Sequence, residues 1–253
     1  MDPRENIFIT KHRQIIQALT AQMQENLLKP YDRLPTEKEL CEYWHASRST
    51  VRKAMDQLED RGKIFRVPGK GSFVAHQKIT HHTSQIMSFM EKMKAQGLSV
   101  KTQLIRKEIV KPSEEIATAL KLAPPFKALK LQRLRIVKDE PLALQTAFMS
   151  ADMFTGFLKE DLESQSMNKL FQEKFNIRLS RSEIWIEAPI ITREEKKLLG
   201  NPPLSLFLAV VSVTYDQDNK PVRFTRGIFR GDRVRLRISD ASLFDLNYSG
   251  LRG

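Results

Sequence analysis

Two stretches of helical periodicity joined by only two residues constrain this chain more tightly than anything else in it. Both lie in residues 36–60, TEKELCEYWHASRSTVRKAMDQLED. In the second stretch Val51, Ala54, Met55 and Leu58 recur at i, i+3, i+4 and i+7, the spacing of one buried helical face. Ser47 stands just ahead of it, where a hydroxyl can accept from a free amide of the first turn. In the first stretch Thr36 is followed three residues on by Glu39, so that each side chain can satisfy an amide of the other, while Leu40, Cys41 and Trp44 face inward. The His45-Ala46 connection is too short for anything but a sharp angle between two helices. Gly62 closes the second helix, since a residue without Cβ enters the left-handed conformation freely. Beyond it, Ile64 to Val67 and Ser72 to Val74 alternate about Pro68-Gly69-Lys70-Gly71, which predicts a hairpin. A supporting helix is expected over 11–27, with Ile15, Leu19, Met23 and Leu27 as its buried stripe, broken at Lys29-Pro30-Tyr31.

What the pattern leaves exposed suits a nucleic acid. Arg48 and Arg52, four residues apart, share an outward face near the start of the second helix, beside Ser49 and Thr50. A guanidinium fork can grip guanine O6 and N7 together, and hydroxyls suit phosphate oxygens. A hairpin tip of glycines with Lys70 can approach a phosphate backbone or the minor groove. Taken singly, a helix with two arginines is a solvated surface and a Gly-Lys-Gly tip is a turn; their order and spacing select the DNA reading. Lys plus Arg at 42 against Asp plus Glu at 30, a formal charge of +12, favours a polyanionic partner. Since no apolar run is long enough to span a bilayer and the first residues lack the apolar core of a signal peptide, the cytoplasm is the expected location. Cys41 is the only cysteine, which excludes an internal disulfide and a cysteine-rich zinc site; the adjacent His81-His82 do not converge as metal ligands, so neither metal nor cofactor is expected.

The resemblance now has its residues. LPTEKELCEYWHASRSTVRKAMDQLEDRGKIFRVPGKGSFV resembles the winged helix-turn-helix of the GntR superfamily of bacterial transcription regulators. By position, the resemblance places DNA contacts on Lys38, Arg48, Arg52 and the wing tip at Lys70 and Gly71; Lys38 stands where that family commonly has arginine, a point charge in place of a fork.

From residue 99 the pattern changes to strands, expected at 100–110, 128–137, 142–149, 179–188, 204–215, 222–230 and 233–238. Helices are expected at 84–97, with Ser84 as cap and Ile86, Phe89, Met90 and Met93 on one face, and at 113–120, 166–175 and 192–199. Turns at 138–141 and 216–221 make neighbouring strands antiparallel, so this half reads as α+β with a mainly antiparallel sheet. The expected organisation is a DNA-binding domain over 1–76, a linker without regular structure over 77–84, and a second domain over 85–253.

In the second domain Arg133 and Arg135 alternate on one strand and so share a face with Leu129, Leu131 and Val137, a costly place for cations unless something anionic meets them. Gln145 comes from the facing hairpin strand and Arg223 from a later one, and three guanidinium groups about a concavity suit a carboxylate or phosphate. RLRIVKDEPLALQTAFM, SMNKLFQEKF and PVRFTRGIFRGDRVRLRI resemble the UTRA effector-binding domain of the HutC subfamily, which implies a chorismate-lyase-like fold. The resemblance implies that Arg133, Arg135 and Ser166 hold a phosphate at a helix N-terminus, with Gln145, Asn168 and Arg223 completing the pocket. Gln145 and Arg223 stand where that family usually has acids, and Asn168 and Phe229 where tyrosines are common, which points to an effector more acidic or less hydroxylated than a hexosamine phosphate. The whole implies a homodimeric repressor that binds a palindromic double-stranded operator and answers to a small anionic effector, a phosphorylated sugar or carboxylate. Two alternatives remain at this stage: an enzyme on the lyase-like fold, for which Glu183 and Glu187 lack any acid-base partner, and a DNA binder without an effector.

Overall fold

A computed structural model describes residues 10–76, 78–82, 89–202 and 204–237. The chain divides into two compact units, Met1–Gln77 and Lys78–Gly253.

In the first unit, helix α1 (Lys11–Gln24) packs Ile15, Ile16 and Leu19 against α2 (Glu37–Trp44) and α3 (Arg48–Asp60). The expected capping box forms: the Glu39 amide donates to Thr36 Oγ1 at 3.2 Å and the Thr36 amide to Glu39 Oε2 at 2.7 Å. His45, at φ 47°, turns the chain left-handed between the helices, and Ser47 Oγ accepts from the Thr50 amide to start α3. Val51, Ala54, Met55 and Leu58 are all buried, each worth about 1–3 kcal/mol of transfer free energy for the larger side chains. The wing is β1 (Ile64–Val67) paired antiparallel with β2 (Gly71–Val74). One expectation fails: α1 ends at Gln24, and Leu27 lies beyond it, 69% exposed, because the left-handed Asn26 turns the chain before a fourth stripe position can form.

The second unit is built on one six-stranded antiparallel sheet. Its strands are β4 (Val100–Val110), β5 (Ala128–Val137), β6 (Glu140–Ser150), β7 (Leu179–Glu187), β8 (Phe207–Asp216) and β9 (Pro221–Arg230), in the order β4-β5-β6-β9-β8-β7. The turn joining β5 to β6 is tighter than expected. Lys138 and Asp139, both at positive φ, make a two-residue hairpin, so Glu140 and Pro141 belong to the strand. The linker expectation over 77–84 also needs correcting: β3 (Ile79–His82) is a strand, paired parallel with β10 (Val234–Arg237). Ser84 and Ile86, the expected cap and first apolar position of the next helix, lie outside the described residues, as does the side chain of Met90; the helix α4 is described over Phe89–Lys94.

Both faces of the sheet are covered. One packs Leu129, Leu131, Ala147 and Met149 under α6 (Ala151–Phe154), the 3-10 turn Thr155–Lys159 and α7 (Met167–Phe175), through Phe154, Phe157, Leu170 and Phe171; farther along the same face, Ala143 and Phe229 meet Phe89 and Met93 of α4. The other packs Val211, Val213 and Phe224 against α5 (Glu114–Ala119) and its C-cap Leu120, and Leu134, Leu144 and Ile228 against Leu198 and Leu199 at the end of α8 (Arg193–Leu198). The turn at 151–159 carried no sequence expectation, yet its two phenylalanines fix where α7 lies.

Candidate nucleic-acid interface and anion site

The first unit presents one cationic face. Because the buried positions of α3 take its other side, Arg48 and Arg52 are exposed, and neither has a hydrogen-bond or ion-pair partner among the described residues. Ser49 and Thr50 behave differently from one another. Thr50 Oγ1 and Ser49 Oγ both lie 2.9 Å from Ser47 Oγ, but Thr50 is half-buried within the cap while Ser49 stays exposed. Lys38, on α2, is exposed and 3.9 Å from Glu42, a pairing that solvent weakens to little.

The wing is held by Arg66. Its Nη1 lies 2.7 Å from Asp56 and 2.6 Å from Glu59, both on α3, and its Nη2 lies 3.8 Å from Glu37 on α2, so one guanidinium ties hairpin to both helices. At the tip, Lys70 is exposed without a partner among the described residues, and Gly71 sits at φ 111°. A Cβ there would come 3.2 Å from Arg33 Nε, so the glycine also makes room for a cation that sequence reasoning missed. Arg33 precedes α2 and bridges to Phe73, and nothing in its local sequence distinguishes it from a loop arginine.

In the second unit the expected effector residues come together. The register of β5, β6 and β9 sets Arg133 opposite Gln145 and puts Arg135 and Arg223 on that same face, toward α4 and α7. Arg135 donates through Nε to Gln145 Oε1 at 2.9 Å and through Nη1 to Thr102 Oγ1 at 2.6 Å. Arg223 donates through Nη1 to Asn168 Oδ1 at 2.9 Å and, weakly, through Nη2 to Thr214 Oγ1 at 3.4 Å. Arg133 Nη2 reaches only the thioether of Met167, at 2.7 Å. Ser166 is the N-cap of α7 but makes no capping bond; its buried Oγ has no partner, and neither do the enclosed Nε atoms of Arg133 and Arg223. Phe89 and Phe171 lie 5.7 Å below Arg135 and Arg223, each giving a guanidinium an aromatic face.

A fourth cation was not anticipated. Lys92 of α4 is 9% exposed, and its ammonium has no partner among the described residues. In sequence it is a lysine on an amphipathic helix, which reads as surface. Burial, followed by the charge of Arg223, lowers it from 10.5 to about 8. Burial likewise lowers Arg135 and Arg223 to about 10 and takes Arg133 well below the usual guanidinium range, with the charge of Arg223 adding to the effect on Arg133 and Arg135. Arg223 as a whole is only half-buried, but its Nε is fully enclosed, so the desolvation applies to the charged end. No carboxylate hydrogen-bonds or ion-pairs with any of the four among the described residues. A cavity of about 760 Å³ is lined by Glu91 and Lys94 of α4, Leu98 and Val100, and Ser164, Ser166 and Lys169; of the expected effector residues Ser166 borders it. That size suits a small metabolite. Glu183, weighed above as a catalytic acid, is instead an exposed partner of Arg181 at 2.7 Å and accepts from the Tyr215 hydroxyl at 3.1 Å.

Comparison with known proteins agrees with both halves. Residues 11–74 match the family model described as bacterial regulatory proteins, gntR family, and residues 95–235 match that of the UTRA domain. The chain is 30% identical over 220 residues to the HTH-type transcriptional repressor NagR of Bacillus subtilis, covering 87% of this chain and 90% of that protein. It is 26% identical over 227 residues to the mannosyl-D-glycerate transport/metabolism system repressor MngR of Escherichia coli, covering 90% and 94%. Among solved structures, PhnF from Mycobacterium smegmatis superposes with a TM-score of 0.62 at 24% identity, over 91% of this chain and 99% of that one, a likeness of fold.

Proposed function

Since the chain belongs to the gntR family of bacterial regulatory proteins, carries a UTRA domain and is a transcription regulator rather than an enzyme, we propose that it is a homodimeric repressor controlled by a small anionic metabolite. In this reading residues 1–76 bind a palindromic operator in the cytoplasm, the chain passes to the second unit at Gln77–Lys78 just ahead of β3, and the second unit holds the effector and the partner subunit. Arg48 and Arg52 read base edges, with Ser49, Lys38, Lys70 and Gly71 against the phosphate backbone. Thr50 supports the cap from which Ser49 and Arg48 project. Repression is supported by the names of the relatives, and the two-fold operator by the logic of helix-turn-helix dimers. The edge strand β7 supports self-association through the second unit, since it exposes Ile184, Trp185 and Ile186 in a row. Among the described residues no helix is long and apolar enough to cross a membrane.

The observation that carries the anionic effector is the cluster of Arg133, Arg135 and the half-buried Arg223 on one sheet face with the buried Lys92 of α4, none of them paired with an acid among the described residues. Burying an unpaired charge costs several kcal/mol, so a site built this way is completed by an anion at the N-terminus of α7, where Ser166 Oγ and free amides await it. The effector then acts by binding one arrangement of the dimer more tightly than the other, and by linkage changes operator affinity by the same factor. The test is calorimetric titration with a panel of phosphorylated sugars and carboxylates, together with operator binding with and without each hit. A saturating anion that alters operator affinity, and whose binding and effect are lost in Arg133→Ala, is the expected result. An unchanged response in Arg133→Ala would remove the cluster from effector sensing.

A further inference from the structure

We infer that the effector carries two acidic groups rather than one, the second being met by Arg223 and Lys92. The inference rests on the anion-site reading above and narrows its ligand class. A single phosphate ester brings about two negative charges at neutral pH. Four cations face the site, two on β5 and two beyond it, on β9 and α4. The β5 pair is already anchored: Arg135 is bonded to Gln145 and Thr102, and Arg133 reaches Met167 at the start of α7 through Nη2, while its enclosed Nε, like the Oγ of the neighbouring Ser166, has no partner. One phosphate there satisfies those groups. It leaves Arg223, whose Nε is enclosed without an acceptor, and Lys92, nine-tenths buried and without an acceptor among the described residues, with Arg223 adding to the cost of the Lys92 charge. Asn168 and Thr214 fix where the Arg223 fork points, yet both offer it only neutral oxygens. Hydroxyls of a neutral sugar tail would likewise leave two buried charges uncompensated, whereas a carboxylate or second phosphate compensates them. The cavity of about 760 Å³ that Ser166 lines has room for a ligand with its acids separated by a carbon chain.

The test uses matched probes on the full chain: glycerol 3-phosphate against 3-phosphoglycerate, glucose 6-phosphate against 6-phosphogluconate, and fructose 6-phosphate against fructose 1,6-bisphosphate, with inorganic phosphate alongside, titrated by calorimetry in a phosphate- and sulfate-free buffer. The expected result is that in at least one pair the two-acid member binds more than about tenfold tighter, as an added charge-assisted contact predicts. In Arg223→Gln, and separately in Lys92→Met, that ratio falls toward one. Urea melting of each variant reports whether it folds, and using two variants keeps one informative if the other does not. Phosphate binding that depends on Arg133, with all pairs indistinguishable, overturns the two-acid ligand and leaves the anion site standing. Discrimination that survives both variants overturns the role of Arg223 and Lys92. Failure of every probe, phosphate included, overturns the anion site and this inference with it.

Discussion

Replacing Arg133 by methionine is expected to make the empty protein more stable and deaf to its effector. Arg133 is 6% exposed, its Nη2 has only a thioether as acceptor, its Nε has none, and two more guanidinium groups share its face without an acid. Methionine keeps most of the stem's apolar contacts and removes a desolvated charge, an unmet donor worth about 1–3 kcal/mol, and the repulsion from Arg135 and Arg223. Against this stands the lost bond to Met167 Sδ, a weak acceptor. Exchange of buried ionic groups for apolar ones of like volume is neutral or stabilising by about 1–4 kcal/mol, and about 1–3 kcal/mol is the expected gain here. At roughly 2–4 °C per kcal/mol for a unit of this size, the melting temperature of the second unit rises by about 2–12 °C. The assay is thermal and urea unfolding of Arg133→Met and the unsubstituted protein, in a buffer free of phosphate and sulfate and again with saturating anion. The anion should raise the unsubstituted protein's melting temperature and leave the variant's unmoved. A variant that melts lower than the parent when empty refutes the account of Arg133 as a charge held at a cost, and a variant that still responds to anion refutes its role as ligand.

Arg48→Ala and Arg52→Ala should each cost about 1–3 kcal/mol of operator affinity and relax preference at the base pairs they face, read by gel shift against single-base operator variants; uniform loss across all variants would make them backbone contacts instead. Lys70→Ala should weaken binding across sequences and reduce the slope of log affinity against log salt by about one, and an unchanged slope would take Lys70 off the phosphates. Arg66→Met should lower the first unit's stability by about 1 kcal/mol, discounted for the solvent around its three acids; equal urea midpoints would show that apolar packing alone holds the wing. Lys92, lowered to about 8 in the empty protein, regains its proton when an anion arrives, so anion affinity is highest below pH 8, falls above it, and near pH 8–9 binding takes up protons from the buffer. Binding heats independent of buffer ionisation enthalpy at pH 8.5 would place Lys92 away from the ligand. For folding the sign is opposite: between about 8 and 10.5 the unfolded chain holds a proton the folded one lacks, so stability rises with pH across that window.

Much of this was legible in the chain itself, where a local rule and the tertiary structure agree. The 3.6-residue period fixed α3 and its exposed arginines, Thr36 with Glu39 marked a helix start by side-chain chemistry alone, and the two-residue period put Arg133 and Arg135 on one face. The parts that escaped depend on partners far away in sequence. Ile79-Thr80-His81-His82 has no alternation to betray a strand, and becomes one only because Val234–Arg237 runs beside it. Lys92 looks like a surface lysine until the folding of the second unit buries it. The strand order, with β9 between β6 and β8, follows from no single hairpin.

The pairing of β3 with β10 also sets an order of events during synthesis. Residues 79–82 leave the ribosome directly after the winged helix but find their partner only when residues 234–237 emerge, 155 residues after Ile79 for its partner Val234. The DNA-reading unit, whose pairings are all local, can therefore fold while the rest is still being made, and the second unit cannot close until its strand at 234–237 has been made. A message cut short before that strand would thus leave a folded helix-turn-helix unit attached to an unfinished UTRA domain, able to meet DNA with nothing complete behind it.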